Sequence, residues 1–302
     1  MRSIASTNML LKCPEFYDLY MTCHTHGWKM LAPYQWLEQE NALLMTMYAG
    51  EDAVDVRVRQ RDSNLKIEIT SRGPLTPEHK ANLRFGIRRA LDLDTDTTSL
   101  YRVARKQHAS LAKLVRAGAG RLLKCPSLWE DAVKTLFTTN CSWNLTLKVA
   151  AACCAPPFAR VSPAGRYPFP KPSDIQRYTP EQLRKRIPIG YRAQAMCLLA
   201  RRFSRTEVDL EPELLPRHFE EAYKTVRSWY GFGDYAASHV LVLEGKFHKI
   251  PVDTVVIDFV RSQYQRNDVA ACLAERFDTW GEYKWWGMKL ESMVKRTNWL
   301  GD

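Results

Sequence analysis

The first hundred residues change hydropathic rhythm partway along. In AVDVRVRQRD, Val54, Val56 and Val58 alternate with charged residues, and in NLKIEITSRG so do Leu65, Ile67 and Ile69. A period of two marks strands with one wet face. With NALLMTMYAG before them and turn-like GED and DSN between, the three runs predict an antiparallel sheet joined by short loops. In LTPEHKANLRFGIRRALDL the period changes. Thr76 precedes Pro77, a helix start, and Leu83, Ile87 and Leu91 recur every four residues. A helix over the dry face of an antiparallel sheet makes a small N-terminal α+β domain, taken as residues 1–96.

From about residue 97 helical spacing takes over, in SLYRVARKQHASLAKLVRA, SLWEDAVKTLFTTN, SWNLTLKVAAACC and GYRAQAMCLLARRF. A proline-rich loop, APPFARVSPAGRYPFPKP, separates two helical groups. Helical runs continue in PRHFEEAYKTVRSW, YAASHVLVLE, DTVVIDFVRSQY and DVAACLAERFDTWGEYKWWGMKLESMVKR. The fold class is α+β: a sheet with its helix, then a mostly α-helical part over residues 97–302.

Charge adds an asymmetry. The first hundred residues hold 12 Lys and Arg against 13 Asp and Glu, the remainder 32 against 20. The helical part thus carries the whole net charge of +11, as expected of a surface facing a polyanion. A soluble basic protein with no nucleic-acid partner has the same balance. The eight cysteines include no C-x-x-C pair, the N-terminal residues lack a signal-peptide core, and no apolar run is long enough for a membrane span. A reducing compartment is expected, cytoplasmic (nucleoid-associated) or nuclear, with no zinc and no membrane partner.

The chemistry concentrates in FEEAYKTVRSWYGFGDYAASHVLVLEGKFHKIPVDTVVIDFV. Phe219, Ala222, Tyr223 and Val226 form one apolar helix face, which stops at Tyr230-Gly231-Phe232-Gly233. Two glycines around an apolar residue allow a tight turn with bare amides, and Asp234 stands where a cap would start the next helix. Such a turn can bind a phosphate; a purely structural turn has the same pattern. The following helix is nearly all apolar and ends at Gly245, after which Ile250-Pro251-Val252-Asp253 leads into another helix. Asp253 reads locally as an N-cap, at the positive end of that helix's dipole.

Taken together, G-F-G-D-Y-A-A, the buried helix and P-V-D resemble the helix-hairpin-helix motif of the DNA glycosylase superfamily, here at about 218–244. LFTTNCSW, Leu136–Trp143, and Gly190-Tyr191-Arg192-Ala193 are similar to segments of 8-oxoguanine DNA glycosylases. The N-terminal sheet and helix resemble the matching domain of those enzymes and of 3-methyladenine DNA glycosylase II. The resemblance implies a two-lobed helical core and a monomeric enzyme acting on double-stranded DNA that contains a modified base.

It also implies roles. Asn140 would fill the space of a flipped base, Tyr191 would wedge against the opposite strand, and Arg192 would contact the unpaired partner base. The amides of Gly231, Phe232, Gly233 and Tyr235 would hold a phosphate, with a monovalent ion at the hairpin. Asp253 would stabilise the cationic sugar and serve a water. Where bifunctional relatives carry a Schiff-base lysine this chain has Tyr235, so base excision without strand cleavage is expected. Tyr235, His239 and Trp280 would line the base pocket, and aromatic rings put an alkylated purine ahead of an oxidised base. His239 reads equally as a core histidine, and Trp280, Trp285 and Trp286 as core tryptophans. With only Cys272 beyond residue 200, no iron–sulfur cluster is expected. The alternative is a lesion-binding protein without catalysis.

Overall fold

The computed structural model describes residues 3–205 and 214–296, and the side chains up to residue 294. The N-terminal part comprises β1 (Ile4–Lys12), α1 (Leu19–His24), β2 (Gln35–Leu37), β3 (Ala42–Ala49), β4 (Asp52–Arg61), β5 (Asn64–Arg72) and α2 (Pro77–Ala90). Then come α3 (Thr98–Gln107), α4 (Ala109–Arg116), α5 (Leu128–Thr138), α6 (Trp143–Cys153), α7 (Pro172–Ile175), α8 (Pro180–Arg184) and α9 (Arg192–Phe203). The chain continues with α10 (Phe219–Arg227), α11 (Asp234–Leu243), α12 (Thr254–Tyr264), α13 (Val269–Phe277) and α14 (Lys284–Arg296).

The three strands expected from alternation are β3, β4 and β5. They lie in a five-stranded antiparallel sheet of order β1-β5-β4-β3-β2. Val56 stands opposite Met45 on one side and Ile69 on the other, and Val58 opposite Leu43 and Ile67, all of them buried. β1 shows no alternation in sequence, because its apolar residues fall on both faces. α2 begins as expected, with the Thr76 side chain accepting from His79 N and Pro77 in the first turn. Such a cap is worth about 1 kcal/mol. Leu83, Ile87 and Leu91 are fully buried, and Gly86 lets α2 approach Met47 of β3 more closely than a Cβ would permit.

Packing divides the chain into two interleaved units, Met1–Pro14, Asp18–Asp94 and Leu122–Leu214 against Glu15–Tyr17, Thr95–Arg121 and Leu215–Asp302. That grouping differs from a split after residue 96, because the segment containing α5 to α9 belongs with the sheet. Trp28 Nε1 and the Arg89 guanidinium both donate to the Asp131 carboxylate of α5, and Lys124 N donates to Ala90 O. Two helical runs break where sequence spacing reads through. His108, extended at φ −162°, ends α3 and caps α4 with its side chain. Gly281, at φ 57° and ψ −123°, interrupts the run between α13 and α14. No helix among the described residues is long and apolar enough to cross a membrane.

Candidate nucleic-acid interface and catalytic carboxylate

In the second unit, α10 and α11 are joined by a turn pinned from below. Trp229 and Phe232 are buried with their rings edge to face at 5.4 Å, and Phe232 N donates to Trp229 O at 3.0 Å. Gly231 takes φ 86°, which only glycine adopts without strain. Gly233 is extended, and a Cβ there would meet nothing nearer than Arg227 Nη1 at 3.9 Å. The fold of this unit therefore does not require a glycine at 233; its missing side chain leaves the turn's backbone bare. The first intrahelical bond of α11 is Ala237 N to Gly233 O, so the preceding N–H groups have no acceptor within the helix. With the positive end of the α11 dipole, they suit an anion.

The expected cap is displaced by one residue. Gly233, not Asp234, is the N-cap of α11, because its extended backbone begins the helix. Asp234 occupies the first helical position and its carboxylate turns back toward α10. It accepts from the Tyr223 hydroxyl at 2.8 Å and pairs with Arg227 Nε at 3.2 Å and Lys249 Nζ at 3.6 Å. Lys249 also donates to the Tyr223 oxygen at 2.7 Å. The Tyr223 hydroxyl first, then Lys249 and Arg227, hold the Asp234 carboxyl below its usual range. Sequence reasoning missed this network, although Tyr223 and Arg227 are four apart on α10. Arg227 Nη1 also donates to the Phe232 carbonyl at 3.4 Å.

α11 is buried from Ala236 to Ser238 and from Val240 to Leu243, as its composition predicts. It closes through Gly245 at φ 76°, with Lys246 N donating to Leu241 O at 2.8 Å. The loop beyond is anchored by buried Phe247, Ile250 and Pro251 and delivers Asp253 to the start of α12. Asp253 is the N-cap: Oδ1 accepts from Val256 N at 2.9 Å. The residue is half-exposed, and Oδ2 has no hydrogen-bond partner among the described residues. One oxygen is thus structural and the other available. Of the nearby lysines, Lys224 is exposed, Lys246 donates to Arg217 O, and Lys249 lies in the Tyr223 network.

Tyr235 and His239 stand on one side of α11 with ring centroids 5.7 Å apart, both half-buried. Trp280 differs. It is 3% exposed, and a Cβ on Gly287 would come within 2.5 Å of its indole, so the ring lies flush against backbone. Trp285 and Trp286 are also buried and meet edge to face at 4.8 Å. All three tryptophans pack as core, and Trp280 presents almost no surface to a ligand.

The first unit brings Asn140, Tyr191 and Arg192 together. Asn140 follows α5 at φ 43°, and its Nδ2 reaches the Tyr191 oxygen at 3.5 Å. Tyr191 is exposed, with the Arg192 guanidinium 4.6 Å from its ring centroid. Arg192, only 6% exposed, differs from the outward-facing residue expected. Its Nε donates to Thr139 O and Oγ1 at 3.1 and 3.2 Å, and its Nη2 to Thr139 O and, at 3.0 Å, to Asn140 O. Carbonyls at the negative end of the α5 dipole draw in the cation. Arg192 therefore positions Asn140 and Tyr191. Arg192→Ala is expected to lower unfolding stability by about 2–3 kcal/mol in urea titrations, because charged donors leave the half-buried Thr139 carbonyl and that of Asn140. Asn140→Gly, which suits the positive φ, is expected to leave stability within about 0.5 kcal/mol of wild type.

Among the described residues no group of three or more His, Cys, Asp or Glu could hold a metal ion, and the eight cysteines are free thiols.

No protein-family model matches the sequence, and no curated protein matches it. Solved structures do. The apo 8-oxoguanine glycosylase/lyase of Clostridium acetobutylicum is 14% identical, with 95% of this chain and 96% of that chain covered and a TM-score of 0.69. The same enzyme with double-stranded DNA containing cytosine opposite 8-oxoguanine is 15% identical over 98% and 99%, at a TM-score of 0.69. The 3-methyladenine DNA glycosylase of Archaeoglobus fulgidus is 17% identical over 96% and 100%, at 0.71. At these identities the likeness is one of fold, and the chain has the fold that these DNA glycosylases share.

Proposed function

We propose that the chain is a monofunctional DNA N-glycosylase that flips out and hydrolytically excises a modified base from double-stranded DNA, leaving an abasic site. The observation that carries this reading is Asp253, which caps α12 through Oδ1 and keeps Oδ2 available. It follows a helix whose own start is a bare glycine turn suited to a phosphate. Cleaving the N-glycosidic bond builds positive charge on deoxyribose; a carboxylate beside the sugar stabilises that charge and aligns or deprotonates the attacking water. Asn140 and Tyr191 would take the place of the flipped base and brace the opposite strand. Tyr235 replaces the amine that a Schiff base needs, which leaves water as the nucleophile.

For the base, Tyr235 and His239 offer an aromatic and an imidazole edge on one helix side. An electron-poor alkylated purine stacks well on such a surface, and an oxidised base ranks second. A lesion binder without catalysis is the other reading, favoured by the Val256 capping bond, which alone accounts for a carboxylate at this position. The test is incubation with a panel of modified duplexes and mass spectrometry of the released bases. A free alkylated purine, an uncut strand and no borohydride-trapped protein–DNA adduct are expected. A trapped adduct overturns the monofunctional assignment; binding without any released base establishes the alternative.

A further inference from the structure

The sheet has two edges of unlike character. β2 is three residues long and runs into Glu38 and Glu40, a short edge flanked by charge. β1 is nine residues long and pairs without a bulge to β5 alone. From Ile4 to Leu11, IASTNMLL, it carries no charge and no proline. Cys13 N donates to Ser63 O, and Gly73 N to Ser3 O. In an antiparallel ladder that phase gives the odd-numbered residues of β1 to β5, so the N–H and C=O groups of Ile4, Ser6, Asn8 and Leu10 point away from the sheet. The side chains of the same four residues are exposed. Ile4 at 69% and Leu10 at 63% are the two most exposed large apolar residues described. Elsewhere that face is charged, with Lys66, Glu68, Arg57 and Arg59 on the next strands.

We propose that β1 is a homodimer interface: it pairs antiparallel with β1 of a second copy about a two-fold axis at Thr7, joining the two sheets. The second copy is the occupant because the strand is complementary to itself in one register. With Thr7 opposite Thr7, Ile4 meets Leu10 of the other copy, Leu10 meets its Ile4, and Ser6 meets Asn8. Each outward pair exchanges two N–H···O bonds, about eight in all, and the two apolar pairs cover each other. Centring on Asn8 puts Ile4 opposite Lys12 and Leu10 opposite Ser6, which loses both apolar matches. A two-fold contact also closes on itself, which stops growth into fibres. Copies carrying a net charge of +11 repel one another, and the uncharged strand is where approach costs least. The resemblance implies a monomer; β1 supplies an interface without using the residues proposed to face DNA.

Sedimentation equilibrium of the full chain without DNA, at about 1–100 µM and two salt concentrations, tests this, since small interfaces hold in the micromolar range. A reversible monomer–dimer equilibrium that tightens with salt is expected. Leu10→Lys and, separately, Asn8→Pro, which removes only an outward N–H, are expected to be monomeric with unchanged far-UV circular dichroism. A wild type that is monomeric throughout, or variants that dimerise as wild type does, overturns the proposal. Register is read by mild oxidation of Thr7→Cys and Asn8→Cys. Cross-linking of the first and not the second is expected, because in this register position 7 faces itself, in a closely spaced non-hydrogen-bonded pair, whereas position 8 faces Ser6. The opposite order overturns the Thr7 axis. None of these outcomes depends on whether the protein excises a base.

Discussion

Asp253→Asn is expected to reduce base release by about 10²–10⁴-fold, or roughly 3–5 kcal/mol in the activation barrier. The fold should survive, since asparagine caps a helix about as well as aspartate. Its side-chain oxygen can still accept from Val256 N, the bond that Oδ1 makes here. What is lost is the negative charge that Oδ2 would present to the sugar, and with it the base for water. Affinity for lesion-containing DNA should hold or rise, because a like charge near the phosphates is gone. Single-turnover release, urea midpoint and DNA affinity separate the cases. A variant that excises at the wild-type rate would reduce Asp253 to its cap. Asp253→Ala serves as the structural control: it also removes the cap and is expected to cost about 1 kcal/mol of stability.

The largest effect on stability is expected at Lys134, on α5. Its side chain is 0% exposed, and its Nζ meets Glu130 Oε1 at 2.7 Å. The ammonium lies 4.6 Å from the Tyr34 ring centroid and 5.7 Å from that of Phe169. Lys134→Met retains the stem and removes the charge, leaving a buried carboxylate uncompensated; a loss of about 3–5 kcal/mol is expected. The double variant Lys134→Met/Glu130→Gln should recover most of it.

The variant's pH dependence has a definite sign. Burial, partly opposed by Lys134, pushes the Glu130 carboxyl above its usual range. Removing Lys134 raises it further. A folded-state pKa above the unfolded value means that folding favours the protonated form. The deficit of Lys134→Met relative to wild type should therefore be smallest below about pH 4.3, the unfolded value. It should grow as pH rises through the folded value. Urea midpoints of both proteins at pH 5 and pH 8 check this, and equal deficits at the two would contradict it.

Those buried charges show where sequence reading ends. β3 to β5 and α2 were legible because their apolar residues keep one period and one face. β1 was not, because Ile4 and Leu10 point to solvent and erase the alternation of Met9 and Leu11. In α5, Glu130, Asp131 and Lys134 look like a wet face, yet all three are buried. Pairing with Arg89, Trp28 and one another admits them to the core, and partners up to 103 residues away leave no local trace. At the site, the turn, the buried α11 and the position of Asp253 were all visible. The inward turn of Arg192 and the Asp234 network were not, since both depend on carbonyls and cations that come together only when helices pack.

Interleaving of the two units bears on how the protein is made. Arg89 and Asp92 leave the ribosome before the partners that neutralise them, Asp131 and Lys124. Between them runs the excursion Thr95–Arg121, which belongs to the other unit, and the sheet's own unit is complete only at Leu214. At about 5–20 residues per second, the roughly 120 residues from Asp94 to Leu214 take about 6–24 s to emerge. For that time the nascent sheet carries only α1 and α2 and an unfinished core, and chaperones that shield apolar surface during translation have a defined window in which to act.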